Sequence, residues 1–310
     1  MKDKKMIFNN VPVTVILLTL NEEFNLPGAL ENIMDWAEDI FIVDSCSTDR
    51  TIDIALEHGV KIVQRPFTNF GDQWNFALEK LPLRTPWTFK LDPDERLTPE
   101  LKEEIRELLG RETQHHGYSM NRRLWFMGKP LHVLAPVVRL WRTGKCRFSD
   151  VLVNEHPLVE GSVGKLKGIM EHLDSRDLHH WIEKQNTYTT MLAIQKMSGD
   201  KLSAASKLFG NTLERRMFFV RYFFFLPGRY WAQMCFEFFV RGAWRDSLLG
   251  WRWAKLRVEV RRYRELKIKE IKITHRFPIL PKKEQIYDAR IQIMELQKLV
   301  MHKEVINKGG

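Results

Sequence analysis

The stretch "WTFKLDPDERLTPE", residues 87–100, runs from apolar residues into Asp92, Asp94 and Glu95, and then into a helix start. Trp87 to Leu91 reads as a short buried strand. Thr98 is a suitable N-cap, with Pro99 and Glu100 in the first turn, which predicts a helix over about 99–109. A buried charge without a partner is expensive, so three carboxylates crowded at one strand end must be neutralised by something. A strand, a polar cluster and then a helix fit an open α/β sheet, whose ligands bind outside the carboxyl ends of the strands.

Upstream the pattern repeats. "VTVILL" (13–18), "IFIVD" (40–44) and "VKIVQ" (60–64) are further buried-strand runs. Helical stretches lie between them: one starts near Asn25 with Pro27 in its first turn, another follows "STDRT" (47–51), and a third covers about 71–80. That rhythm predicts a doubly wound, mostly parallel sheet. Its strand ends carry Asn21 and Glu22, then Asp44, then Asp92 and Asp94. Residues 117–122 and 137–141 are candidate additional strands. From about Asp177 the pattern is mostly helical, apart from a weak strand-like run near 271–274. The chain therefore divides into an α/β domain over 1–180 and a helical region over 181–310, with a polar tail ending in "NKGG" that is expected to fray.

Composition narrows the classes. The 310 residues carry a net charge of +10 and are 44% hydrophobic, enough for a sizeable core. Cys46, Cys146 and Cys235 form no CxxC pair, which points to a reducing compartment and away from a structural zinc site. "MKDKKMIFNN" is basic but itself lacks the apolar stretch expected of a secretory signal, and no 18-residue window is free of charge. Residues 207–269 hold 15 Lys and Arg against 5 Asp and Glu, a local charge of +10, so the remainder is neutral. The same segment holds nine Phe and four Trp.

A hard divalent cation, Mg²⁺ or Mn²⁺, explains the 92–95 cluster economically, because it takes carboxylate oxygens together with the phosphates of a substrate. Asp92 and Asp94 leave the same strand two residues apart, and Pro93 stiffens the turn between them. Taken alone, such a pair reads first as a solvated turn. Neither GxGxxG nor GxxxxGK[ST] occurs, so dinucleotide and P-loop readings find no support.

The pair is not alone. "TLNEE" (19–23), "VDSCSTDRT" (43–51), "NFGDQWNFAL" (69–78) and "LDPDERL" (91–97) occur in an ordered series that resembles the family 2 glycosyltransferases, inverting enzymes of the GT-A fold, over roughly residues 12–180. Within that family the chain looks closest to bacterial lipopolysaccharide core glucosyltransferases. The resemblance implies that Thr19, Asn21 and Glu22 hold the nucleotide of a nucleotide-sugar donor. It further implies that Asp44 accepts from a uracil ring, that Asp92 lies near the ribose and metal, and that Asp94 binds the metal bridging the diphosphate. Asn75 lies in the matching third motif. In the segment "RLWRTGKCRFSDVLVNEH" (139–156) the resemblance makes Glu155 the general base, with Asp150 as a nearby competitor, and Arg139 a diphosphate contact. His172 matches a position where related enzymes often place a further metal ligand. Ser45 and Cys46 stand where many relatives have Asp and Gly. The stretch 128–141 lacks the Gly- and Trp-rich pattern of the core glucosyltransferases, and that is where an acceptor should bind.

The basic aromatic segment is expected to lie on an anionic membrane surface without spanning it, with Leu249, Trp253, Leu256 and Val260 on one helical face and Arg245, Arg252 and Arg262 nearer the other. A helical subdomain packed on the catalytic domain is the alternative. Nucleic acid is disfavoured, because the aromatics come in apolar blocks rather than as a stacking platform. These readings predict a metal-dependent, UDP-hexose-using enzyme. It would be peripheral at the cytoplasmic face of the inner membrane and would act on a lipid-linked glycan. A polyprenyl-phosphate acceptor and a non-catalytic membrane adaptor are the competing readings.

Overall fold

The computed structural model describes residues 10–149, 156–197 and 227–278, with positions 209, 215 and 222. An eight-stranded sheet in the order β3-β2-β1-β4-β7-β6-β10-β5 organises the chain. Its first half comprises β1 (Val11–Thr19), β2 (Ala37–Asp44), β3 (Lys61–Gln64) and β4 (Trp87–Lys90), all parallel. Between them run α1 (Leu26–Ile33), α2 (Thr51–Glu57) and α3 (Phe70–Lys80). The strands are apolar on both faces because both faces are covered. Val13, Val15 and Leu17 pack under α1, α2 and α4 (Pro99–Leu109), whereas Ile16 packs with Trp74 and Ala77 of α3 on the other side. Thr98 does cap α4, accepting from the Leu101 amide at 3.3 Å.

The second half is antiparallel in part, which the upstream rhythm alone does not predict. β6 (Gly117–Phe126) and β7 (Lys129–Arg142) extend well beyond the runs expected at 117–122 and 137–141. They form a hairpin closed by Met127 and Gly128, both at positive φ (50° and 74°), the backbone demanded by a two-residue primed turn. β7 runs against β4 and β6, and β5 (Glu95–Leu97) runs against β10 (Val163–His172). A small second sheet joins β8 (Cys146–Phe148) to β9 (Pro157–Val159) beside α3.

The helical part contains α5 (Leu178–Met197), α6 (Arg229–Cys235) and α7 (Ser247–Thr274). A π-helical turn (Phe236–Val240) and a 3-10 turn (Ala243–Asp246) lead from α6 into α7. The weak strand-like run at 271–274 is the last turn of α7; its alternating Ile residues are helical, and Ile271 packs with Ala193 of α5. On the face of α7 marked out by Leu249, Trp253, Leu256 and Val260, Trp253 is buried and the other three are half-buried, with Leu256 and Val260 lining a groove beside α5. Trp253 and Ala254 are buried against Phe126, Leu131 and Val133 of the β6–β7 hairpin, with Leu249 and Leu256 beside them. The Leu249–Trp253–Leu256 part of the stripe thus docks on the hairpin, which corrects the expectation that these three side chains lie toward lipid. Among the described residues, no helix is long and apolar enough to cross a membrane.

Candidate active site

Three loops at the carboxyl ends of β1, β2 and β4 converge. The register of β1 against β2 sets Thr19 opposite Asp44, and the Thr19 hydroxyl donates to the Asp44 carboxylate at 2.7 Å. Asp44 is fully buried and also accepts from the Ser47 hydroxyl (2.5 Å), the Ser47 amide (2.8 Å) and the Gln64 side chain (3.3 Å). These four donors fill the four acceptor positions of a carboxylate. An incoming imide N–H would thus have to displace one of them, and Gln64 makes the longest contact. Asn21 adopts the left-handed region (φ 55°), which suits Asn, and its side chain accepts from the Thr48 amide at 2.8 Å. The β1 and β2 loops are thereby tied into one shelf. Cys46 sits at φ 66°, so the position where many relatives have Gly does need a left-handed backbone.

The carboxylates of 92–95 are neutralised by different partners. Glu95 is fully buried; it accepts from the Asp92 amide (3.0 Å) and Arg122 (3.1 Å) and pairs with Arg139. Arg139 also pairs with Asp92 at 2.6 Å, and Lys90 lies 3.8 Å from the same carboxylate. Burial would push Asp92 up, but Arg139 and Lys90 hold it down at about 2. Arg139 therefore lies beneath the turn as the counter-ion of two carboxylates. Lys90 is itself buried against Trp74 at 4.5 Å.

Asp94 faces a second cluster. β10 pairs with β5 so that His172 lies opposite Glu95, and the Leu173 amide donates to the Asp94 carbonyl at 2.8 Å. His172 Nε2 comes within 3.3 Å of Asp94 Oδ2 and 3.9 Å of Asp174 Oδ1. One ligand atom from each of Asp94, His172 and Asp174 falls within 4.8 Å of the others. Two carboxylate oxygens and an imidazole nitrogen suit Mg²⁺ or Mn²⁺. His172 Nδ1 is buried and has no hydrogen-bond partner among the described residues. The residues fit a divalent cation. Between the two carboxylates sits the ammonium of Lys184 on α5, 2.8 Å from Asp94 Oδ2 and 2.9 Å from Asp174 Oδ1. Burial would raise Asp94, yet Lys184 and His172 hold it well below the usual carboxylate range. Glu22, half-buried across the site, is pushed up to about 7 by burial and by the Asp94 charge.

Asn75 donates to the Phe148 carbonyl (3.1 Å) and accepts from its amide (2.8 Å), so its side chain fastens α3 to β8. Glu155 and Asp150 lie outside the described residues. The sequence reading places Glu95 in the cluster of carboxylates but does not identify its partner Arg122, nor Asp174 or Lys184. Asp174 had a signal, two residues beyond His172 at a strand end, whereas Lys184 is 90 residues from Asp94 and had none.

The model of glycosyl transferase family 2 matches residues 14–135. The lipopolysaccharide core biosynthesis glycosyltransferase LpsC of Rhizobium meliloti (strain 1021) is 30% identical over 251 residues, covering 77% of this chain and 85% of the relative. An uncharacterized glycosyltransferase of Rickettsia felis is 26% identical over 264 residues, covering 76% and 90%. Among solved structures, S. aureus TarS 1-349 in complex with UDP aligns with a TM-score of 0.43 at 15% identity, over 88% of this chain and 94% of that one. The chain belongs to glycosyl transferase family 2. It is a glycosyltransferase with the GT-A arrangement of a nucleotide-sugar-binding sheet, followed by a helical C-terminal region.

Proposed function

We propose that this enzyme transfers a hexose, with inversion, from a UDP-sugar to a membrane-associated glycan such as lipopolysaccharide core. It would do so at the cytoplasmic face of the inner membrane. The observation that carries the reading is the Asp94–His172–Asp174 cluster, two residues from Asp92 at the end of β4 and close enough to Glu22 on the β1 loop for the Asp94 charge to act on it. Asp94, His172 and Asp174 would hold Mg²⁺ or Mn²⁺, which when bound supplies positive charge to a departing nucleotide diphosphate. The β1–β2 shelf orients the nucleoside, with Gln64 the donor that yields on Asp44. Arg139, Glu95 and Arg122 fix the Asp92 turn. Glu155 takes the proton from the acceptor hydroxyl, a contribution of typically about 10²–10⁴ in rate.

Residues 1–180 serve as the catalytic domain, and 181–310 hold the enzyme at anionic lipid. Trp231, Phe236, Phe239, Trp244, Leu248 and Trp251 are exposed, each by at least 43%, which is unusual for such large apolar side chains in one region. Phe238 packs on both Phe239 and Trp251, so part of this set is contiguous, and the exposed Arg245 and Arg252 border it. Arg257, by contrast, is turned toward Glu237, and burial pulls Arg261 down to about 10, so these two are poor lipid contacts. Acceptor chemistry follows the name of LpsC.

A panel of nucleotide sugars, screened for thermal stabilisation with and without Mn²⁺, tests the donor reading. UDP-hexoses should stabilise only with metal, and Asp94→Ala should abolish that effect while keeping the fold. Stabilisation by UDP that is indifferent to metal and to Asp94 contradicts it. Flotation with anionic against neutral vesicles tests the surface, where an absence of preference leaves only the packed helical subdomain.

A further inference from the structure

The metal cluster already contains a cation of the chain's own. Lys184 reaches from the second turn of α5, its helix capped by Asp177, which accepts from the His180 amide at 2.7 Å. Its ammonium donates to Asp94 Oδ2 at 2.8 Å and to the Asp174 carbonyl at 2.9 Å, and it pairs with Asp174 Oδ1 at 2.9 Å. The same two carboxylates form the oxygen part of the ligand set with His172. One carboxylate pair cannot give full coordination to a divalent ion and a close ion pair to an ammonium together, because the two cations repel at such distances. The anchor residue is also not an ordinary surface lysine. Its side chain is 40% exposed, while Asp94 and Asp174 are 11% and 18% exposed, so the contact is made in a partly desolvated pocket where pairing is strong.

We propose that Lys184 is a built-in competitor of the metal: it holds the two carboxylates in register while no donor is bound, and it must leave them for the divalent cation to enter. The inference rests on the metal reading above. It has a consequence for the order of loading. A nucleotide diphosphate brings negative charge that can satisfy both the cation and the displaced ammonium, so metal and nucleotide bind more tightly together than apart. By linkage, the same factor applies to each ligand's effect on the other. Metal alone would meet an occupied site, so Mn²⁺ affinity without nucleotide should be weak. Because Lys184 lies on α5, which packs along α7 through Ala193, Ile268 and Ile271, the exchange takes place at the root of the helical region.

The test measures free Mn²⁺ by electron paramagnetic resonance, titrating the full chain with and without saturating UDP. Wild type is compared with Lys184→Met and with Lys184→Gln, which drops the charge but keeps a hydrogen-bond donor. Thermal melting verifies that each variant is folded. Without UDP, both variants should bind Mn²⁺ at least about tenfold tighter than wild type, a change of about 1.4 kcal/mol. The further gain on adding UDP should be smaller in the variants than in wild type. Unchanged or weaker Mn²⁺ binding by the folded variants overturns the proposal while leaving the metal site standing. Wild-type affinity in Lys184→Gln alone also overturns it, since charge would then not be the operative property. No Mn²⁺ binding by any of the proteins, even with UDP, overturns both this proposal and the metal reading beneath it.

Discussion

Replacing Glu95 with Gln removes one negative charge from a position with no solvent exposure and two arginines beside it. Gln keeps the shape and one acceptor, so no cavity forms; what changes is the charge. Hydrogen bonds to a charged group are worth about 1.5–3 kcal/mol against about 1 for neutral ones, so each guanidinium loses roughly 1 kcal/mol. Arg139 retains Asp92, but with a single carboxylate for a guanidinium that is 7% exposed. An incompletely compensated buried charge adds to the loss, since breaking a buried pair typically costs about 3–5 kcal/mol. The expected total is about 3 kcal/mol, or a fall in Tm of roughly 6–12 °C at about 2–4 °C per kcal/mol. Arg122→Met should cost less, because Arg122 is 23% exposed and Glu95 keeps Arg139. Since one carboxylate serves both arginines, the double variant should be less destabilised than the sum, by about 1 kcal/mol or more. Donor affinity should fall with Glu95→Gln, because the Asp92 amide also bonds to Glu95. Calorimetric melting of the four proteins decides the matter. A loss under 1 kcal/mol for Glu95→Gln, with strictly additive effects, would refute the claim that this carboxylate holds the turn.

Three further outcomes are expected. Gly250→Ala places a Cβ 1.8 Å from the Ala243 carbonyl oxygen, a backbone atom that cannot swing aside; overpacking there should cost about 3 kcal/mol and expose Trp253, seen as a red-shifted tryptophan emission. Glu22 is raised from 4.5 to about 7, so its contribution to stability is complete below about pH 4.5 and is lost as pH rises through 7; Glu22→Gln should therefore become progressively more stabilising, relative to wild type, between pH 5 and pH 8 in metal-free melts. Glu155→Gln should lower kcat by about 10²-fold or more at nearly unchanged UDP affinity, and if Asp150→Asn alone does so in steady-state assays, the base is Asp150.

What the sequence revealed and what it concealed follow from distance along the chain. β1 to β4 were legible because each is a short apolar run bracketed by turn residues, and both sheet faces are covered, so the runs are continuous. The Thr98 cap was legible because it bonds within three residues. The shelf was visible as a series of polar strand ends, although which donors fill Asp44 was not. By contrast β5, only three residues long, gave no periodic signal, yet its pairing with β10 brings His172 to Asp94. The stripe Leu249, Trp253, Leu256 and Val260 does lie on a helix, but periodicity reports only that a face is apolar. It does not say whether lipid or protein covers that face. Here the β6–β7 hairpin covers Trp253, with Leu249 and Leu256 beside it, because its own apolar residues Phe126, Leu131 and Val133 need a cover.

The question raised by three carboxylates at one strand end has a more local answer than a metal alone. Asp92 and Glu95 share Arg139 of β7, and Lys90 at the end of β4 and Arg122 of β6 complete the neutralisation. These cations converge on Asp92 and Glu95 and so set the shape of the turn. Asp94 is balanced by a different set: an imidazole, and an ammonium on a helix from another part of the chain. The two aspartates of the Asp-Pro-Asp turn thus differ in kind. Asp92 is paired with strand residues, whereas Asp94 is paired with Lys184, the partner proposed to yield to a cation. On that proposal, two aspartates separated by a single proline should respond differently to substitution: Asp92 through stability and donor geometry together, and Asp94 chiefly through the cation.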